Sequence, residues 1–127
     1  MAAVIERGGS FLVARRQAGV HLEGYWEFPG GKRHAGEADA DAMRRELSEE
    51  LAVEVEVGPE VLSTSHEYDD RVVELHFYRC TMAGTPTPML GQVLQWVPRA
   101  ELDGLTFPPA DAQLIALLSG VAPDERA

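Results

Sequence analysis

Between Glu37 and Glu50 the chain carries six carboxylates against two arginines. Three of them, Glu46, Glu49 and Glu50, recur at spacings of three and four residues. On a helix advancing about 100° per residue they fall in one arc. Like charges at such spacings repel one another unless something compensates. Two readings are open. A dense acidic block is commonly a solvated helix face. It is also the donor set of a hard divalent cation such as Mg²⁺, which takes one or two carboxylates plus waters and substrate phosphates. The Gly-rich turn leading in, Pro29-Gly30-Gly31, tips the balance toward metal.

The elements that must position these groups follow from patterning. Ala40, Met43, Leu47 and Leu51 form an apolar stripe at helical period, which predicts a helix over residues 38–51. Glu37, Asp39 and Asp41 sit at its start, where the helix dipole favours negative charge. The glutamate arc lies beside that stripe, so the helix can pack on a sheet while aiming its carboxylates into a cleft. Residues 2–6 read as a strand, and Gly8-Gly9 suits a tight hairpin into a second strand over 11–14. Residues 15–31 read as a loop, with Trp26 and Phe28 inside it. Further strands are expected at 53–57, 61–66, 72–80 and 95–97, with the polar turn 67–71 joining two of them. Pro108 and Pro109 are placed to open a final helix through 110–118. The order, strands, helix, strands, helix, is that of an α/β (α+β) fold with helices packed on a sheet.

Composition bounds the rest. At 127 residues the chain has the length of one domain, taken as 1–127, and its 45% hydrophobic and 25% charged residues are a globular balance. A formal net charge of −10 repels nucleic-acid backbones, which excludes a nucleic-acid polymer as the expected partner. No apolar run reaches the roughly 20 residues that span a bilayer, so no membrane partner is expected. A single cysteine, Cys80, permits no internal disulfide and reads as a buried small hydrophobe in a reducing, cytoplasmic setting. The four histidines form no metal pattern, and Trp26 and Trp96 read as core or wall residues.

Gly31, five residues, Glu37, seven residues, then Arg45-Glu46-Leu47-Ser48-Glu49-Glu50 matches the Nudix box. The chain resembles the Nudix hydrolases, most closely those of MutT type. Trp26-Glu27-Phe28-Pro29-Gly30-Gly31-Lys32 resembles the stretch leading into their box, and Phe107-Pro108-Pro109-Ala110 the start of their last helix. The resemblance implies a Nudix-type α/β/α sandwich with a central mixed sheet and two main helices. It also implies an enzyme that cleaves nucleoside triphosphates to the monophosphate and pyrophosphate with Mg²⁺ or Mn²⁺. Glu46, Glu49 and Glu50 then ligate metal together with the Gly31 carbonyl. Arg45 orients the glutamates, Glu37 is its structural partner, and Glu49 or Glu50 serves as base. The box's next glycine is replaced here by Ala52.

For the substrate, Arg16 resembles an arginine that approaches the nucleotide phosphate. Phe28, Tyr68, Arg71 and Leu75 resemble positions around the base, and His21 resembles a loop histidine. Asp111 stands where the MutT type has an asparagine that reads 8-oxoguanine. An asparagine offers donor and acceptor together, whereas an ionised aspartate only accepts. Asp111 also resembles a residue of the CTP pyrophosphohydrolases, so cytidine nucleotides such as CTP and 5-methyl-dCTP join oxidised nucleotides such as 8-oxo-dGTP as candidates. A competing reading of Asp111 is a cap on the final helix.

A second departure concerns the loop before Trp96, from which many MutT-like enzymes supply another carboxylate. This chain has no Asp or Glu between Glu74 and Glu101. Either the box glutamates suffice, or Glu67, Asp69 or Asp70 substitutes, or turnover is slow. The expectation is therefore a pyrophosphohydrolase that sanitises oxidised nucleotides. A weakly active nucleotide-binding module and a hydrolase of nucleoside diphosphates linked to a sugar are the competing classes. A metal-dependent substrate panel discriminates among them, and the expected oligomeric state is monomer or dimer.

Overall fold

A computed structural model of the protein describes residues 1–17, 19 and 24–120. Strands β1 (Ala2–Arg7) and β2 (Ser10–Arg15) are joined at Gly8 and Gly9, whose φ angles of +60° and +81° fit a tight hairpin turn. β3 (Trp26–Glu27), α1 (Asp39–Leu51), β4 (Val55–Tyr68), β5 (Arg71–Met82), β6 (Val93–Pro98) and α2 (Ala112–Leu118) follow, with 3-10 turns at Arg99–Gly104 and Pro109–Asp111.

The sheet is mixed. β1 runs parallel to β5, with Ala2 opposite Phe77 and Ile5 opposite Cys80, and β4 pairs antiparallel on the far side of β5. β1 and β2 pair only beside their turn, at Glu6–Phe11 and Arg7–Ser10, and then diverge. β3 enters the fork, pairing Glu27 with Ala14 and Trp26 with Arg15 on β2. A bridge between Gly30 and Ala2 returns the segment to β1, reinforced by Ala3 N–H to Pro29 O at 2.7 Å. β6 lines β2 from Ser10–Pro98 to Arg15–Val93. Residues 26–31 are therefore wedged between two strands of the sheet, directly beneath α1.

Alternation along β1 and β2 sends apolar groups to both faces. Ala3, Ile5 and Leu12 join Met43, Leu47 and Leu51 under α1, while Val4, Phe11 and Val13 join Leu114, Ile115 and Leu118 under α2. This is the expected sandwich of two helical layers on a central mixed sheet. α1 buries Ala42, Met43, Leu47 and Leu51, with Ala40 of the predicted stripe only half-buried. Cys80 is buried and its thiol is pushed up to about 11 by that burial. Among the described residues no helix is long and apolar enough to cross a membrane.

Three expectations need correction. The predicted loop 15–31 contains β3, a strand too short to show periodicity. The predicted strands 53–57 and 61–66 are one strand, β4, whose register shifts between Val57 and Leu62 carry the chain through Gly58 and Pro59. Pro59 is tolerated because β4 is an edge strand, with no strand paired on its outer side among the described residues. The final helix opens as a 3-10 turn at Pro109–Asp111 and becomes α-helical only from Ala112.

Candidate active site

α1 presents its glutamates over the wedge. Gly31 lies against Glu46: a Cβ built there would stand 2.8 Å from Glu46 Oε1 and closer still to its carboxyl carbon. Only a glycine lets the helix carboxylate and the loop backbone come that close. Arg45 fixes the arrangement from the side. Its Nε and Nη2 each donate to a different oxygen of Glu37 at 3.0 Å, its Nη1 donates to Glu46 Oε1 at 2.9 Å, and Nη2 also reaches Lys32 O at 3.0 Å. Glu49 leans on the same guanidinium at 3.5 Å and is otherwise exposed. The Arg45 bonds, with a further one from His34 N–H, hold the Glu37 carboxyl down to about 2.

Glu50 sits differently. It is half-buried, and burial, together with the charges of Glu46 and Glu27, pushes its carboxyl up to about 7 against one hydrogen bond from Gly30 N–H. It lines a cavity of about 190 Å³ with Arg16, Glu27, Gly30 and Gln92 among its walls. Among the described residues, no three acidic, His or Cys side chains are already drawn together as a closed cation cage. The donor chemistry nonetheless fits a hard cation. Glu46 is packed on the Gly31 backbone, and Glu50 is a half-buried carboxyl group beside two others that, among the described residues, pairs with no cation.

The six residues expected around the substrate, Arg16, Phe28, Tyr68, Arg71, Leu75 and Asp111, all line one groove of about 850 Å³ that continues past Gly30 and Gly31. They come from five separate stretches of chain. Phe28 is buried in the wall, stacked on Phe107 at 5.4 Å and edge-on to Phe77 at 6.4 Å. Tyr68 and Arg71 face each other across the β4–β5 hairpin, the guanidinium 5.7 Å from the ring.

Asp111 is 7% exposed and makes no capping bond to α2, which removes the helix-cap reading. Burial and the neighbouring charge of Glu27 push its carboxyl up to about 7, with Arg16 opposing. His21 lies outside the described residues.

Sequence reasoning passed over Glu27. It lines both cavities, pairs with Arg16 at 3.2 Å, and bears electrostatically on both Glu50 and Asp111. The available signal was a lone carboxylate between Trp26 and Phe28. Of the carboxylates considered as substitutes, Glu67 lies near the end of β4, opposite Val72, and Asp69 and Asp70 form the hairpin turn; all three are exposed and line neither cavity.

A family model described as the NUDIX domain matches residues 1–117. The chain belongs to the Nudix hydrolases. It is 38% identical over 116 residues to the CTP pyrophosphohydrolase of Escherichia coli K12, covering 91% of this chain and 86% of that one. It is 36% identical over 109 residues to the 8-oxo-dGTP diphosphatase of Haemophilus influenzae, covering 84% and 79%. The solution structure of MutT from methicillin-resistant Staphylococcus aureus superposes with a TM-score of 0.76 at 36% identity, over 94% of this chain and 92% of that one. Nudix hydrolases generally use divalent cations, and the Nudix box of this chain is the segment spanning Gly31 to Glu50.

Proposed function

We propose that this Nudix hydrolase is a nucleoside triphosphate pyrophosphohydrolase that uses Mg²⁺ or Mn²⁺ and clears oxidised nucleotides such as 8-oxo-dGTP. The observation that carries the reading is the single groove in which Arg16, Phe28, Tyr68, Arg71, Leu75 and Asp111 meet, continuing past Gly30 and Gly31 toward the glutamates of α1. A base seated near Asp111 and Phe28 leaves a phosphate chain to run toward Arg16 and the box. Glu46, Glu49, Glu50 and the Gly31 carbonyl are the groups that would hold the cation. When bound, the metal lowers the pKa of a coordinated water and neutralises charge growing on the bridging oxygen.

The chain's own residues do the rest. Arg45 keeps Glu46 against Gly31 and neutralises part of the acidic face. Glu50, half-buried in its cavity beside Arg16 and Glu27, would take a proton from the attacking water, with Glu49 as the other candidate. Arg16, held by Glu27, is placed to meet phosphate oxygens. Glu37 serves as Arg45's structural partner.

A second reading, cytidine nucleotides such as CTP or 5-methyl-dCTP, is favoured by Asp111 itself. An ionised aspartate accepts from an amino group and cannot supply the donor that an asparagine gives to 8-oxoguanine.

The test is a hydrolysis panel of 8-oxo-dGTP, dGTP, CTP, 5-methyl-dCTP and dATP with products resolved, repeated with EDTA and with Glu50→Gln. Pyrophosphate release should need the metal and fall about 10²–10⁴-fold in the variant. An unchanged rate in Glu50→Gln would overturn the assignment of the chemistry to that face. Tight nucleotide binding with no monophosphate product would make the protein a binding module.

A further inference from the structure

The loop joining β5 to β6 (83–92) holds no acidic residue, yet it is fastened to the turn of α1 that carries Glu50. Thr87 N–H donates to Leu51 O at 2.8 Å, and Met89 N–H donates to Glu50 O at 3.1 Å. The Gln92 side chain adds a second donor to that same Glu50 carbonyl, Nε2 to O at 3.2 Å. Its Oε1 meanwhile accepts from Leu90 N–H at 2.9 Å. One amide therefore ties the loop to itself and to the helix. On the other side, the Gln17 side chain donates to Leu90 O. Gln17, Leu90 and Gln92 line the small cavity together with Arg16, Glu27 and Glu50.

The helix needs these donors. The last carbonyls of a helix have no partner of their own, and α1 has no basic residue in its last turn to supply one. A side chain leaves its helix along a direction set by the local backbone. A frayed last turn therefore spreads the positions of the Glu50 carboxylate.

We propose that Gln92 is a positioning residue for Glu50. Its side-chain amide, in a loop without a carboxylate, holds the α1 terminus so that Glu50 points into the cavity shared with Arg16 and Glu27. The inference rests on the reading of Glu50 as a group of the metal centre.

The experiment measures Mn²⁺ binding to the nucleotide-free protein by electron paramagnetic resonance, and steady-state hydrolysis, for wild type, Gln92→Met, Gln92→Ala and Glu50→Gln. Methionine keeps the length of Gln92 and removes both hydrogen bonds. Its thermal midpoint is expected within a few degrees of wild type. Both Gln92 variants should weaken Mn²⁺ binding about 3–10-fold and lower kcat about 10–30-fold at saturating metal, with nucleotide KM within about twofold. A purely structural loop contact would lower the thermal midpoint and leave Mn²⁺ affinity and the kcat-to-KM split untouched, and that result overturns the inference. So does wild-type Mn²⁺ affinity in a folded Gln92→Met protein when Glu50→Gln has lost it. If Glu50→Gln itself binds Mn²⁺ as wild type does, the reading of Glu50 fails instead, and the positioning role falls with it.

Discussion

Gly31 and Glu46 share a space that holds only one of a Cβ and a carboxylate: a methyl group at Gly31 would stand 2.8 Å from Glu46 Oε1. The overlapping group is the far end of a flexible side chain, so Gly31→Ala should fold and displace the Glu46 carboxylate. The neighbouring glycine behaves oppositely. A Cβ at Gly30 would stand 2.7 Å from Ala2 Cα, in backbone that cannot retreat without parting β1 from the wedge. We expect Gly31→Ala to lose about 10²-fold in kcat with its melting temperature nearly intact. Gly30→Ala should lose about 2–3 kcal/mol or more of stability. Melting curves and rates on the two variants check the contrast, and an active Gly31→Ala would show that Glu46 has room to spare.

Arg45 binds both oxygens of Glu37 and one of Glu46 at once, a planar fork doing three jobs. A lysine offers charge without that geometry. Arg45→Lys should therefore cost about 10²-fold in kcat through misplacement of Glu46, with little change in nucleotide KM. Steady-state kinetics at saturating metal measures it. A KM effect with kcat preserved would move Arg45 from organising the glutamates to binding substrate.

Much of this site was legible because the box is local. Gly31, Glu37 and the run from Arg45 to Glu50 lie within one turn and one helix, and α1 begins one residue after its predicted start. The hairpin at Gly8-Gly9 was legible for the same reason. The fork between β1 and β2 was not. It arises because strands pair beside their turn and then separate, and the two-residue β3 that fills it has no period to detect. The gap left between the predicted strands 53–57 and 61–66 is not a break, because edge strand β4 absorbs Gly58-Pro59 as an irregularity that periodicity does not show. Glu27 became visible only once folding placed it between Glu50 and Asp111.

Ala52 occupies the left-handed position that ends α1, at φ 55° and ψ 42°, with its N–H on Ser48 O at 3.1 Å. The fold keeps this helix end although the side chain disfavours it. A non-glycine residue there costs about 1–2 kcal/mol, and glycine returns part of that as greater freedom in the unfolded chain. Ala52→Gly should therefore stabilise the protein by about 0.5–1 kcal/mol, a rise of about 2–4 °C in melting temperature. Activity should be unchanged, because Ala52 lines neither cavity. A lower melting temperature would mean that helix propensity outweighs the strain.

Asp111 gives the protein a dependence on pH whose sign can be worked out. Its carboxyl is raised to about 7 by burial and by Glu27, with Arg16 opposing, whereas an unfolded aspartate titrates near 3.9. Between those values the folded chain holds a proton that the unfolded chain has lost. Stability contributed at this position is thus greatest at low pH, falls as pH rises through about 4 to 7, and levels off above. Glu50 adds a change of the same sign, so the difference between wild type and Asp111→Asn isolates Asp111. The variant should be more stable by about 2–4 kcal/mol at pH 8 and nearly equal at pH 4. The same proton bears on the base. As a neutral acid Asp111 donates and accepts, as an asparagine does; once ionised it only accepts. The ratio of kcat/KM for 8-oxo-dGTP to that for CTP should fall about tenfold from pH 6 to pH 8 in wild type, the worth of one buried hydrogen bond, and stay flat in Asp111→Asn. A flat wild-type ratio would place base reading elsewhere in the groove, with Tyr68 and Arg71 the next residues to vary.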